Sequence, residues 1–320
     1  MAGKLDKKDY EILRELDLNY RQSLSRIAKK VRLSKNSVSL KFEKLKPYIS
    51  HASTAINHEA LGYTQLRVFY SFDFYDSILE NTLLERIKAM PHVYWASRLF
   101  GRYDFCICLL VPDFDTYISL ITSFNEGLED RIKEKELQVV ERERHNRNNF
   151  IHDEPVRLYC KVLKNYNLVP AAKKVLLEIL EDPRVQLTTI AERTGFTVKT
   201  VAAHIRNMEK AGFIQGYFVT LLPMKFGLVT FKMLLQVREH KEQFDKRLRN
   251  LMSTKLMCRE IGMWDYEIDF LYPNIMELEA DLEKLNVEFP RMFKKIEILS
   301  FSRKLYKNSK GYLQADLYMN

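Results

Sequence analysis

An α+β chain is predicted, built from two tandem copies of one unit in which three helices lead into a β-α-β-β-α-β segment. Three observations predict it. A helical pattern returns in register 163 residues later, with Ala28, Ser34 and Val38 answered by Ala191, Thr197 and Val201. Gly-x-aromatic-Asp stands at Gly101–Asp104 and again at Gly262–Asp265, each time leading into an apolar run. With 46% hydrophobic and 12% aromatic residues among 320, the chain can bury several cores and is not of the disordered class.

The first copy opens with LDKKDYEILREL. Leu5, Tyr10, Ile12, Leu13 and Leu16 fall at helical spacing behind Asp6, a candidate N-cap with Asp9 three residues on. SLSRIAKKV follows, capped by Ser23 or Ser25, with Ile27, Ala28 and Val31 on one face and Ala28 small where a neighbour would cross closely. RLSKNSVSLKFEKLKPYI then takes Ser34 as N-cap, spaces Val38, Phe42 and Leu45 as i, i+4, i+7, and stops before Pro47. Three helices with a short turn before the last make a helix-turn-helix, and a β-wing is expected at Ser50-His51, so 1–50 reads as a winged helix-turn-helix domain.

From Gly62 the pattern reads strand (65–72), helix (76–90), strand (93–99), a turn at Gly101, strand (103–111), helix (113–129) and strand (134–142). That is the order of a ferredoxin-like domain, assigned to 51–144. A linker spans 145–169, in which VRLYCKVL alternates enough to form a strand.

The second copy repeats the plan. Residues 170–222 form a second winged helix-turn-helix, opened by Pro170, with Gly195 in the turn where the first copy has Arg32 and a wing expected at Gln215-Gly216. A second ferredoxin-like domain with a C-terminal tail fills 223–320, with strands at 229–237, 257–261, 264–271 and 293–302 and helices at 241–253 and 274–286. Each glycine of the repeated motif falls in the hairpin between the second and third strands, where Asp104 or Asp265 is expected to hydrogen-bond local backbone amides.

The net charge of +9 is unevenly spread. Residues 1–50 hold thirteen Lys/Arg against six Asp/Glu, 51–150 eleven against fifteen, and 170–222 seven against five. A basic three-helix segment is the footprint of a DNA partner. With the third helix in the major groove, Ser34, Lys35, Asn36, Ser37, Lys41 and Lys44 are expected on the DNA from the first copy, and Thr197, Lys199, Thr200, His204 and Asn207 from the second. The charge split makes the first copy the stronger reader, so that Lys41→Ala is expected to weaken binding more than His204→Ala.

Other classes are disfavoured. No run approaches the ~18 apolar residues of a membrane span, and charges stand where an N-terminal signal sequence needs an apolar stretch, so a soluble cytoplasmic protein without membrane contact is expected. Four cysteines show no metal-ligand spacing; Cys106 and Cys108 share one face of a strand and read as core thiols. No phosphate loop or catalytic triad spacing appears, so neither catalysis nor a resident cofactor or metal is expected.

The doubled order resembles the Lrp/AsnC family of transcription regulators. The residues that carry it are Leu5-Asp6, Asp9, Ile12-Leu13, Ile27-Ala28, Leu33-Ser34, Val38, Leu45, Tyr48-Ile49, Leu61-Gly62 and Gly101-Arg102-Tyr103-Asp104 in the first copy, and Ile190-Ala191, Gly195-Phe196-Thr197, Val201, Ala211-Gly212-Phe213-Ile214, Phe226-Gly227 and Gly262-Met263-Trp264-Asp265 in the second. The resemblance implies a double-stranded DNA partner, and dimers formed by pairing ferredoxin-like sheets, here as a homodimer or as a pseudo-dimer within one chain. It also implies an amino-acid effector near the hairpin, for which Arg98, Arg102 and Asp104, or Arg259, Glu260 and Asp265, offer the charges. The same scaffold resembles the siroheme decarboxylases, although none of the seven histidines falls in the hairpin strands. An architectural DNA-binding protein without sequence reading is the remaining alternative.

Overall fold

A computed structural model describes residues 5–156, 163, 165–180 and 182–315. Nearly all of VRLYCKVL, the expected linker strand, lies outside them, as do Cys160 and the end of the tail. The first half runs α1 (Lys7–Leu18), α2 (Leu24–Val31), α3 (Lys35–Leu45), β1 (Ile49–Ile56), β2 (Thr64–Phe72), α4 (Ser77–Lys88), β3 (Val93–Phe100), β4 (Phe105–Val111), α5 (Phe114–Asn125) and β5 (Ile132–His145). The second runs α6 (Pro170–Ile179), α7 (Leu187–Thr194), α8 (Val198–Ala211), β6 (Ile214–Leu221), β7 (Val229–Val237), α9 (Glu242–Arg249), β8 (Thr254–Ile261), β9 (Tyr266–Tyr272), α10 (Ile275–Glu288), β10 (Phe293–Lys307) and the short α11 (Gly311–Ala315). The chain divides into two compact units, each drawn from both halves: the residues up to Leu61 with Asn146–Gly227, and Gly62–His145 with Leu228 onward.

In the first unit the helix starts follow from local chemistry. Asp6 caps α1 and closes a reciprocal capping box with Asp9, while Ser23, rather than Ser25, caps α2. The apolar stripes of α1, α2 and α3 pack as one core that also takes Val219 and Leu221 of β6, a strand from the other half. The two expected wings do not fold as hairpins within their own copies. Instead β1 pairs antiparallel with β6, from Ile49 opposite Leu221 to Ile56 opposite Ile214. A lone strand leaves its backbone donors and acceptors unpaired, and each copy supplies the other's missing edge.

In the second unit eight strands close into one barrel in the order β10-β3-β4-β2-β5-β8-β9-β7. Closure depends on β5 and β10, which run beyond their predicted ends and pair with strands of both halves: β5 with β2 and β8, β10 with β7 and β3. Period-two alternation sorts the side chains. On β2, Leu66, Val68, Tyr70 and Phe72 face the core under α4 and α5, whereas Phe69 joins Leu99, Tyr103, Cys106, Leu234, Trp264 and Leu299 inside the barrel. Cys106, Cys108 and Cys258 are buried free thiols, and burial pushes the Cys108 thiol up to about 12.

The repeated Gly-x-aromatic-Asp motif is a joint of this barrel. A Cβ on Gly262 would stand 2.8 Å from the Leu137 carbonyl oxygen of β5, and one on Gly101 would stand 3.3 Å from the Ile298 carbonyl oxygen of β10, so each hairpin closes against the last strand of the other half. The aromatic residues meet inside, where the Trp264 indole N–H donates to the Tyr103 hydroxyl at 3.4 Å. The aspartates accept from strand amides, Asp104 from Phe72 N at 2.9 Å and Asp265 from Val237 N at 2.7 Å.

Candidate nucleic-acid interface

α3 and α8 start in the same way. Ser34 Oγ accepts from Ser37 N at 3.0 Å and meets the Ser37 hydroxyl at 2.8 Å; Thr197 Oγ1 accepts from Thr200 N at 3.1 Å and meets the Thr200 hydroxyl at 2.9 Å. The four hydroxyls thus complete the first turns. Lys35, Asn36 and Lys199 stand exposed beside them.

Val38, Phe42 and Leu45 of α3, and Val201, Ile205 and Met208 of α8, are buried, which turns the opposite stripe outward. That stripe carries Asn36, Leu40 and Glu43 on α3 and, 163 residues on, Lys199, Ala203 and Arg206 on α8. Leu40 is 75% exposed, and Ala203, Arg206, Asn207, Glu209 and Lys210 line a shallow concavity. Leu40, Ala203, Arg206 and Lys210 are absent from the expected set. Carrying Asn36 forward to Lys199 by the repeat register, then counting turns from each, finds the first three.

Lys41 and Lys44 point elsewhere. Lys41 Nζ lies 2.6 Å from Asp6 Oδ2 and 2.8 Å from Asp9 Oδ1, and Lys44 Nζ lies 2.5 Å from Asp9 Oδ2. Asp9 is wholly buried; burial pushes its carboxyl up, and the hydrogen bonds from Lys41 and Lys44 reverse this and leave it lowered. The same carboxylates raise Lys41. On α8 the equivalent places are taken by His204, whose ring lies 6.0 Å from that of Phe196, and by Asn207.

The residues expected around an effector, three at each hairpin, already have partners within the chain. Arg98 Nη1 donates to the Leu99 and Asp104 carbonyls, both at 2.6 Å, and its guanidinium lies 3.8 Å from the Tyr75 ring centre. Arg102 Nε donates to both carboxylate oxygens of Glu134, at 3.1 and 3.0 Å. Arg259 lies 3.2 Å from Glu141, whereas its neighbour Glu260 points to the opposite face of β8, where Arg67 lies 3.3 Å away. Asp104 and Asp265 hold the hairpins as described above.

A family model for winged helix-turn-helix DNA-binding matches residues 171–215, the stretch that holds α6, α7 and α8. The proline dehydrogenase transcriptional activator of Rhodobacter capsulatus is 32% identical over 120 residues, 36% of this chain and 78% of that protein. The leucine-responsive regulatory protein of Rhizobium meliloti (strain 1021) is 30% identical over 120 residues, 36% of this chain and 74% of that protein. Among solved structures, the siroheme decarboxylase NirDL shares the fold with a TM-score of 0.62, at 13% identity and over 98% of both chains.

Proposed function

The chain belongs to the Lrp/AsnC family of transcription regulators, and on that premise we propose that it binds double-stranded DNA through two unequal reading helices, α3 and α8, carried by one polypeptide. The observation that carries this reading is the pair of hydroxyl-capped helices, each with a buried apolar stripe and an outward stripe that starts at Asn36 or Lys199. Lys35 and Asn36 serve α3; Lys199, Arg206 and Asn207 serve α8. Amides at the two helix starts suit phosphate oxygens. Both helix triplets act as winged helix-turn-helix readers in this proposal, the paired β1 and β6 standing in for separate wings. The shared barrel supports pairing of the ferredoxin-like halves within the chain, as a pseudo-dimer. No helix among the described residues is long and apolar enough to cross a membrane, and the reading places the protein in the cytoplasm with its DNA. Arg98, Arg102, Asp104 and Asp265 are committed to the hairpins, so no effector is assigned to them.

Selection of bound fragments from genomic DNA, followed by titration of one recovered site at two salt concentrations, tests the proposal. Two unequal half-sites and an affinity that falls steeply with salt are expected. Binding that stays near ~10⁻⁵ M for every sequence would refute it.

A second reading, decarboxylation of siroheme on this scaffold, is favoured by one observation: the fold likeness to NirDL over 98% of both chains. Incubation with siroheme, followed by absorbance and mass spectra, separates the two. No tetrapyrrole spectrum shift and no loss of carbon dioxide are expected from a regulator.

A further inference from the structure

The most basic segment of the chain surrounds α3, yet the two lysines nearest its middle are already paired. Asp9 is wholly buried, and its carboxylate accepts from the Asp6 amide at 2.9 Å, from Lys41 at 2.8 Å and from Lys44 at 2.5 Å. A buried carboxylate stripped of its counter-charges is strongly destabilised. Moving Lys41 and Lys44 onto DNA phosphates would strip Asp9 in that way. The ion pairs are therefore part of the packing of α1 against α3, unlike an exposed pair that exchanges freely with solvent.

Lys35 stands exposed at the start of α3, and the outward stripe adds no further cation to it. Beyond Asn36 that stripe carries the apolar Leu40 and the acidic Glu43, whose carboxylate lies 2.6 Å from Lys46. The repeat register replaces each of these on α8: Asn36 by Lys199, Leu40 by Ala203 and Glu43 by Arg206. It also replaces Asp9 by Ala172 on α6, so nothing equivalent draws the cations of α8 inward. Lys199 and Arg206 are exposed, and neither is joined to a carboxylate in an ion pair among the described residues. Charge counted by segment ranks α3 first; charge on the exposed stripe ranks α8 first.

Resting on the DNA-binding reading above, we infer that α8 is the principal reading helix, with Lys199 and Arg206 as its main DNA contacts, and that Asp9 acts as an internal phosphate that holds Lys41 and Lys44 off the DNA. Ala203 between them leaves room for a thymine methyl group, and Asn207, exposed beside Arg206, carries an amide of the kind that suits an adenine edge. Lys41 and Lys44 then position α3 on α1 and contribute little to affinity.

The test is fluorescence anisotropy of the full chain with one fragment recovered by selection, at 50 and 200 mM salt. Lys199→Met and Arg206→Met are each expected to raise Kd by about five-fold or more and to flatten the salt slope by roughly one. The triple variant Asp9→Asn, Lys41→Met, Lys44→Met removes the buried cluster together and leaves no buried charge orphaned, since Asp6, which loses Lys41, stands exposed to solvent. Its Kd is expected within about two-fold of the unmodified chain, with an unchanged slope. Thermal melts of each variant report whether it folds, and an unfolded triple variant is replaced by Lys41→Met alone. A loss on the α3 side equal to that of Lys199→Met overturns the inference while leaving DNA binding intact. An unmodified chain with no salt-dependent binding at all sinks the DNA-binding reading, and this inference with it.

Discussion

The guanidinium of Arg67 on β2 lies 2.7 Å from the carboxylate of Glu267 on β9, inside the barrel and across its two halves. The same nitrogen lies 3.3 Å from Glu260 on β8, and the other terminal nitrogen lies 2.6 Å from Glu143 on β5. Lys232, the fourth residue of β7 as Arg67 is of β2, reaches Glu267 and lies 2.7 Å from Asp269. Glu260 and Glu267 each keep one buried oxygen with no partner. A neutral Glu260 relieves the repulsion between the two buried carboxylates.

Burial first, and then the Glu267 carboxylate, push Glu260 up to about 8 from its ordinary 4.5. A carboxyl raised on folding binds more protons in the folded state across that window. Its contribution to stability is therefore fully present below about 4.5 and is lost as pH rises through about 8. Glu260→Gln keeps the uncharged, hydrogen-bonding form at every pH. The variant is expected to gain on the unmodified chain by up to about 1.4 kcal/mol per pH unit between pH 5 and 8, then to level off. Urea unfolding across that range checks it; parallel pH profiles would show that Glu260 does not titrate there.

Arg67→Leu is the harsher change. It leaves Glu143, Glu260 and Glu267 without the guanidinium they share, while Lys232 remains beside Glu267. A loss of about 3–5 kcal/mol is expected, and Glu260→Gln placed in the same chain is expected to recover part of it. Denaturation of the single and double variants reads both numbers.

At the hairpins the two glycines differ in what a side chain would meet. Gly262, at φ +157°, would set a Cβ against the Gln138 side chain and 2.8 Å from the Leu137 backbone oxygen of β5, whereas one on Gly101, at φ +131°, would meet the flexible end of Leu299 at 2.8 Å and a backbone oxygen only at 3.3 Å. Gly262→Ala is expected to cost about 2–3 kcal/mol and Gly101→Ala about 1 kcal/mol. Thermal unfolding ranks them, and equal shifts would mean that backbone contact with β5 is not the controlling term.

Legibility followed the range of the interaction. Helix starts were readable because Asp6, Ser34 and Thr197 act on amides three residues away, and the glycine hairpins because turn geometry is equally local. The partners of β1, β5, β6 and β10 were not readable. A strand edge looks the same whether it pairs within its own copy or with the other, and only closure decides. The destination of Lys41 was hidden for a related reason: summed charge records how many cations a segment has, not that Asp9 is buried under two of them. The barrel charges did leave a trace, in that Arg67 in QLRVFY and Lys232 in TFKMLL interrupt otherwise apolar strands at equivalent places.

The turn before α3 gives the most local prediction. Arg32 adopts φ 57° and ψ 50°, the left-handed region, where Gly195 at φ 74° holds the same place before α8. A side chain there strains against its own backbone, by roughly 1–2 kcal/mol. Glycine avoids that but loses more freedom on folding. The arginine is exposed, so little packing is lost with it. Arg32→Gly is expected to stabilise by about 0.5–1 kcal/mol. At Gly195 a Cβ would meet nothing within 4 Å, so Gly195→Ala is expected to cost a similar amount from conformation alone. Melting curves of the two variants should move in opposite directions by comparable amounts. A destabilised Arg32→Gly would mean that the arginine side chain makes a contact worth more than the strain it imposes.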